Sequence, residues 1–264
     1  MTKTIALAGK GGVGKTTIAG LIIKYLIQMK NGTILAIDAD PSSNLHMVLG
    51  LDLEWTIGDI REDMLAQVRE TLVEGGAAMG SLPGGVTKHD YLDYQIRSAL
   101  SEGERVDLIV MGRPEGPGCY CAVNHNLREV IDAIGKNYQY IVIDNEAGME
   151  HLSRRTTSDV DYLLIVSDPT QRGIVAAERI STIADELNIR VNEKYLILNR
   201  IEGQVIPEEI HRKIKEIGIN FAGFIPTDIT LTEYEYSGRP IIQIANQSPV
   251  YQKFSQVIST ILDH

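Results

Sequence analysis

Apolar residues in this sequence gather into short continuous runs, and several of the segments between them repeat apolar positions with a helical period. Continuous apolar runs indicate strands that are covered on both faces. The predicted strands are Thr4–Ala8, Thr33–Ile37, Val106–Met111, Tyr140–Ile143, Tyr162–Val166, Tyr195–Leu198 and Phe221–Ile225. The predicted helices are Thr17–Lys30, Asn124–Lys136, Gln171–Leu187, Pro207–Ile217 and Pro249–Leu262. This alternation predicts an α/β fold with a mostly parallel central sheet and helices on both faces.

Residues 75–105 are the least regular part of the chain. Gly75-Gly76 and Pro83-Gly84-Gly85 interrupt them, which predicts a surface excursion between helices. Such an excursion is either a passive insertion or a surface that binds a partner. The sequence contains no internal repeat and no long linker, so we expect a single domain over residues 1–264.

A glycine-rich segment follows the first predicted strand and leads into the first predicted helix. It reads Gly9-Lys10-Gly11-Gly12-Val13-Gly14-Lys15-Thr16-Thr17. G-x-x-x-x-G-K-[ST] in this context is a phosphate-binding loop, because glycines let successive backbone N–H groups turn toward phosphate oxygens. We expect Lys15 to reach the β- and γ-phosphates and the Thr16 hydroxyl to bind Mg²⁺. A chance glycine-rich turn is the alternative.

Carboxylates close two of the predicted strands. Asp38 and Asp40 follow the second strand, at the edge where ligands bind in parallel sheets, and their spacing lets both face Mg²⁺ and its waters. Their alternative role is to cap a loop. Asp144 ends an apolar strand in the manner of a Walker B aspartate that holds Mg²⁺ through water. The segment from Asp144 to Gly148 matches D-x-x-x-G, in which the glycine can pivot when a γ-phosphate arrives.

Lys10 lies directly after the first glycine, and with it K-G-G-V-G-K-T-T resembles the deviant Walker ATPases of the MinD/ParA family. The resemblance implies a dimeric ATPase in which Lys10 reaches the phosphates bound to the partner, although a solvated lysine is the alternative. It implies that Asp40 orients the attacking water and that Asp38 belongs to the outer shell of Mg²⁺. The implied catalytic residues are Lys10, Lys15, Asp40 and Asp144.

The same resemblance places adenine beside the ends of two later strands. It implies that the Asn199 amide reads the exocyclic amine and that the Pro226 loop packs on the ring. Ordinary turns at strand ends are the alternative. The sequence contains no guanine-type N-K-x-D, which favours ATP over GTP.

The net charge and the hydropathy of the chain limit the binding partners and the cellular compartment that we expect for the protein. The formal net charge is −10, which argues against nucleic acid as the principal partner. No run approaches the roughly 18 apolar residues of a membrane span, and the N-terminus enters a strand without room for a signal peptide. We therefore expect a cytoplasmic protein that binds no membrane. In that reducing compartment, its two cysteines are expected to be ligands or reactive thiols rather than a structural disulfide.

Cys119 and Cys121 lie in a loop that Gly116-Pro117-Gly118 imposes. Residues two apart in extended chain face the same side, so both sulfurs can meet one soft cation. Two thiolates do not close a tetrahedral site, but a two-fold dimer supplies four. Spacing alone leaves open inert buried cysteines or a tight disulfide.

The cysteine loop, the segment Asp144–Arg155 and the segment Asp38–His46 together resemble the CooC-type nickel-insertion ATPases, which mature carbon monoxide dehydrogenase. The resemblance extends over essentially the whole chain. It implies an ATP-dependent metallochaperone whose shared Cys119 and Cys121 bind Ni²⁺, or Zn²⁺ as purified. His151 is left outside the metal site, because a hydrogen bond or a partner contact explains it equally well.

Three other functions remain open at this point. A close relative of the same subgroup inserts nickel into acetyl-CoA synthase. An electron donor like the nitrogenase iron protein also needs four thiolates, although its ligand cysteines come from separate loops rather than from C-x-C. A positional ATPase of the MinD or ParA kind needs a basic helix that binds membranes or a basic surface that binds DNA. The C-terminal segment Pro249–His264 carries only Lys253 as a cation, which argues against a membrane-binding helix.

Overall fold

Aliphatic strands pair into one twisted sheet, which a computed structural model describes together with most of its connections. The described residues are 2–63, 66, 88–112, 129–147, 159–186, 190–203 and 205–263. Within them the sheet has eight strands. The strands are β1 (Lys3–Gly9), β2 (Ile34–Ala39), β3 (Ser101–Glu102), β4 (Val106–Val110), β5 (Tyr140–Asn145), β6 (Asp159–Ser167), β7 (Arg190–Ile201) and β8 (Asn220–Pro226).

The helices lie between these strands. They are α1 (Lys15–Met29), α2 (Leu45–Leu49), α3 (57–63), α4 (Lys88–Ser98), α5 (129–135), α6 (Gln171–Glu186), α7 (Glu208–Ile217), α8 (Ile229–Ser237) and α9 (Pro249–Leu262). A short 3₁₀ turn covers Ile241–Gln243. No helix among the described residues is long and apolar enough to span a membrane.

The strand order is β3-β4-β2-β5-β1-β6-β7-β8. Every pairing is parallel except the two-residue contact of β3 with β4. The strand β5 therefore lies between β1 and β2, although it follows both by about a hundred residues along the chain. This order places the carboxyl ends of β2, β5 and β1 side by side.

Both faces of the sheet are covered, as the continuous apolar runs predict. In β1, Ile5 packs into a core with α1, α2 and α9, whereas its neighbour Ala6 packs into a second core with α3 to α7. Both residues are fully buried. Alternate residues of one strand thus contribute to opposite cores, and the predicted α/β class with helices on both faces is confirmed.

The prediction of an irregular excursion at residues 75–105 is wrong for its second part. Residues 88–98 form helix α4, and Ser101–Glu102 adds an antiparallel edge strand. Ile96 anchors α4 in the second core with none of its surface exposed. Polar residues predominate in the sequence of α4, which leaves only a weak helical period and explains the error. Residues 75–87 lie outside the described part of the chain.

Candidate functional site

The candidate site lies at the carboxyl ends of the three central strands. Asp38 of β2 is in register with Asp144 of β5, and Leu7 of β1 is in register with the same Asp144. The glycine-rich loop leaves β1 two residues later. The fold therefore brings together three segments that the sequence analysis singled out separately.

The phosphate loop has the backbone that its glycines were expected to provide. Gly12 and Gly14 have φ angles of 79° and 92°, in the region that a Cβ disfavours. Gly14 is the N-cap of α1, which begins at Lys15 and has no acidic residue in its first turn. The positive end of the α1 dipole and the free N–H groups of its first turn thus face the space above the loop, which suits an anion.

The two lysines of the loop differ in exposure. Lys15 is 6% exposed, and its Nζ donates to the Lys10 carbonyl at 3.4 Å, a long bond that a phosphate oxygen can replace. The Lys10 residue itself is exposed to solvent. Lys15 is accordingly placed for a ligand in its own loop, whereas Lys10 is free to face another molecule.

Asp38 is completely buried and already holds its local backbone. Its carboxylate accepts hydrogen bonds from the Asp40 N–H at 3.0 Å and the Leu45 N–H at 2.9 Å. Burial raises the pKa of Asp38 to about 6, and these two bonds only partly oppose it. Asp40 is less buried, and one of its carboxylate oxygens accepts from the Ser42 N–H at 2.8 Å. Both carboxylates therefore cap the loop after β2, and their role at Mg²⁺ and its waters stays a prediction.

Asp144 is buried to 1% exposure, and burial raises its pKa to about 7. The neighbouring Thr16 hydroxyl and Lys15 ammonium lower this pKa, while the Asp38 charge raises it. Among the described residues, neither Asp144 carboxylate oxygen has a hydrogen-bond partner of good geometry. A buried carboxylate with neither oxygen in a well-formed hydrogen bond, beside a second carboxylate and a hydroxyl, fits a hard cation such as Mg²⁺.

A cavity of about 290 Å³ opens beside the phosphate loop, where adenine was expected. Asn199 and Pro226 both line it. Asn199 is 7% exposed, and its amide nitrogen donates to the Val13 carbonyl at 2.8 Å. One amide N–H of Asn199 is thus occupied by the loop, and the reading of adenine by the other stays a prediction.

Helix α8, which the sequence analysis missed, forms another wall of this cavity. Asp228 caps α8 by accepting from the Thr230 and Leu231 N–H groups. The Thr17 hydroxyl of α1 donates to Glu235 of α8 at 2.8 Å. The Asp228-Ile229-Thr230 sequence after a strand is a capping signal that could have revealed this helix.

The predicted soft-metal site lies outside the described residues. Cys119 and Cys121 lie outside the described residues, as do Gly148 and His151. Within the described ranges, no group of three or more His, Cys, Asp or Glu side chains is arranged to hold a metal ion. The cysteine pair therefore stays a prediction from the sequence.

Comparisons with known proteins agree with this geometry. The family described as the CobQ/CobB/MinD/ParA nucleotide binding domain matches residues 4–241. An uncharacterized ATP-binding protein of Methanocaldococcus jannaschii is 42% identical over 98% of both chains. The carbon monoxide dehydrogenase accessory protein CooC of Rhodospirillum rubrum is 30% identical over 70% of both chains. The septum site-determining protein MinD of Pyrococcus horikoshii, solved with Mg-ADP, has a similar fold (TM-score 0.66, 21% identity, 99% and 96% of the chains covered).

Proposed function

The chain belongs to the CobQ/CobB/MinD/ParA nucleotide-binding family, and from that membership we propose that it is an ATP-dependent nickel metallochaperone for carbon monoxide dehydrogenase. The observation that carries the ATPase part is the pair of unpartnered Asp144 oxygens, buried beside a formed phosphate loop. The Cys119-Tyr120-Cys121 sequence and the similarity to CooC support the metal part. Insertion into acetyl-CoA synthase is the variant of the proposal that differs only in the client enzyme.

Nucleotide binding uses groups that are already in place. The N–H groups of the loop and of the first turn of α1 receive the phosphates, and Lys15 exchanges the Lys10 carbonyl for a phosphate oxygen. Thr16, Asp38 and Asp144 would hold Mg²⁺, directly or through water, and a bound ion would supply positive charge beside the phosphate oxygens. Both carboxylates would then favour their ionised forms, which burial opposes.

Hydrolysis requires a water in line with the γ-phosphate. Asp40 orients that water, because it lies at the mouth of the site on the loop after β2 and is less buried than Asp38. Lys10 reaches the phosphates bound by a second copy of the chain, in keeping with its exposure. The water attacks the γ-phosphorus, the bond to the β-phosphate oxygen breaks, and ADP and phosphate leave.

The metal is cargo held between two copies. Cys119 and Cys121 of each copy supply two thiolates, so that four sulfurs surround one Ni²⁺. Zn²⁺ competes for the same thiolates, and protein purified without added nickel is expected to carry zinc. Closure of the dimer around ATP and release after hydrolysis couple the nucleotide to the metal.

Metal analysis combined with mass determination, with and without ATP, tests this proposal. We expect one metal per two chains, and we expect Cys119→Ala with Cys121→Ala to lose the metal while the affinity for ATP is kept. Retention of one metal per dimer by the double variant would refute the thiolate site. A strictly monomeric protein in the presence of both metal and a non-hydrolysable ATP analogue would refute the shared mechanism. A visible absorption band of an iron–sulfur cluster would favour an electron donor instead.

A further inference from the structure

The end of strand β7 donates two side-chain hydrogen bonds to the backbone of the phosphate loop. Asn199 donates to the Val13 carbonyl, and the next residue, Arg200, donates from its Nη1 to the Gly12 carbonyl at 2.8 Å. Two consecutive residues of β7 thus bind two consecutive carbonyls of the loop. The register of β7 with β8 shifts between Leu198 and Ile201, so this pair forms an irregularity in the strand. Such irregularities turn a side chain away from the regular pleat, and here they aim Arg200 at the loop.

The backbone of Arg200 is in an unfavourable conformation. Its φ angle is 61°, in the left-handed region that non-glycine residues enter at a cost. Glycine would adopt this conformation without strain. The arginine side chain is exposed, so burial of apolar surface does not explain its presence. The contact with Gly12 is the feature of this position that requires a long side chain.

We propose that Arg200 is a positioning residue for nucleotide binding, which rests on the proposed ATP site. A trans peptide unit has its carbonyl and its N–H on opposite sides. A carbonyl that accepts a hydrogen bond from β7 therefore leaves the N–H of the same unit directed away from β7. The Gly12 carbonyl belongs to the same peptide unit as the Val13 N–H, and the Val13 carbonyl to that of the Gly14 N–H. Arg200 and Asn199 therefore orient two successive donors before the phosphates arrive.

Arg200 also lines the cavity beside the loop, together with Asn199 and Pro226. Its guanidinium thereby adds a positive charge to the wall of that cavity. A hydrogen bond from a charged donor is stronger than a neutral one, although exposure to water weakens it. We expect its removal to weaken the binding of ATP and of ADP by about tenfold, since both carry the phosphates that contact this part of the loop.

Arg200→Gly separates this role from a purely structural one. The variant removes the side chain and relieves the left-handed backbone, so its melting temperature should equal or exceed that of the unsubstituted protein. Its dissociation constants for Mg·ATP and Mg·ADP, measured by calorimetry, should nevertheless rise about tenfold. Arg200→Lys keeps one charged donor and should recover part of the affinity.

Two control variants match these changes elsewhere in the chain. Asn31→Gly relaxes another left-handed non-glycine residue, with φ of 52°, far from the loop. Arg179→Ala removes an exposed arginine from α6. Both should bind nucleotide as the unsubstituted protein does.

The outcomes distinguish this inference from the proposed function. If the unsubstituted protein binds ATP and Arg200→Gly binds it equally well, the positioning role is wrong and the ATP site stands. If the affinity of Arg200→Gly falls only in step with its melting temperature, the role is structural and the inference is overturned. If the unsubstituted protein fails to bind ATP, the proposed function and this inference fall together.

Discussion

Replacement of Asp144 by asparagine should change how the stability of the nucleotide-free protein depends on pH. Burial raises the pKa of Asp144 from an ordinary value of 3.8 to about 7. The folded protein therefore holds a proton on this group between about pH 4 and pH 7 that the unfolded chain has released. Since the folded state binds more protons in this window, the free energy of unfolding decreases as the pH rises through it.

The magnitude follows from the two pKa values. A difference of one pH unit corresponds to about 1.36 kcal/mol, so the full destabilisation above pH 7 is roughly 4 kcal/mol. From about pH 5 to about pH 8, the contribution of Asp144 changes by roughly 2.5 kcal/mol. Asp144→Asn removes this contribution, because an amide does not titrate in this pH range.

Urea denaturation at a series of pH values, in excess chelator and without nucleotide, measures the effect. The difference in the free energy of unfolding between Asp144→Asn and the unsubstituted protein should shift in favour of the variant by roughly 2.5 kcal/mol as the pH rises from about 5 to about 8. A constant difference from the new amide does not affect this slope. Glu186→Gln, at an exposed carboxylate near the end of α6, is the control and should leave the profile unchanged. If the free energy of unfolding depends on pH in the same way for Asp144→Asn and the unsubstituted protein, burial does not raise the pKa of Asp144.

Three further variants test the phosphate loop and the role of Asp40. Lys15→Ala should abolish nucleotide binding in calorimetry, and an unchanged affinity for ATP would disprove the phosphate-loop assignment. Asp40→Ala should stabilise an ATP-bound dimer in sedimentation experiments, and normal turnover would contradict its role with the attacking water. Gly14→Ala should lower the free energy of unfolding by at least about 1–2 kcal/mol, because its φ is 92° and the added Cβ would lie 2.5 Å from the Asn199 amide nitrogen. Unaltered urea stability of this variant would exclude that strain.

The sequence predicted seven of the eight described strands, because each of these seven contains an apolar run, which is a local property of the chain. Val142 and Ile143, for example, are both fully buried on opposite faces of the sheet. The two-residue strand β3 contains no apolar residue and was not predicted. The strand ends carried the Gly9–Thr17 loop, Asp38 and Asp144, so parallel pairing alone was enough to bring these groups together.

Elements without a strong apolar stripe were not predictable in this way. Helix α8 has no buried residue along its described length, so nothing in Ile229–Ser237 shows a helical period. The contact of Arg200 with Gly12 joins residues that are 188 positions apart. It depends on the irregularity in β7, which results from the pairing of β7 with β8 and leaves no mark in the local sequence.

The insertion of β5 between β1 and β2 has a consequence during synthesis of the chain. A ribosome-bound chain that ends before Tyr140 has its phosphate loop but lacks Asp144 and the strand that lies between β1 and β2. Since translation proceeds from the N-terminus, the loop emerges long before the strand that completes its surroundings. Retention of nascent chains on immobilised ATP should therefore begin only after β5 has left the exit tunnel. The chain length at which ATP binding begins would then report when the central sheet assembles.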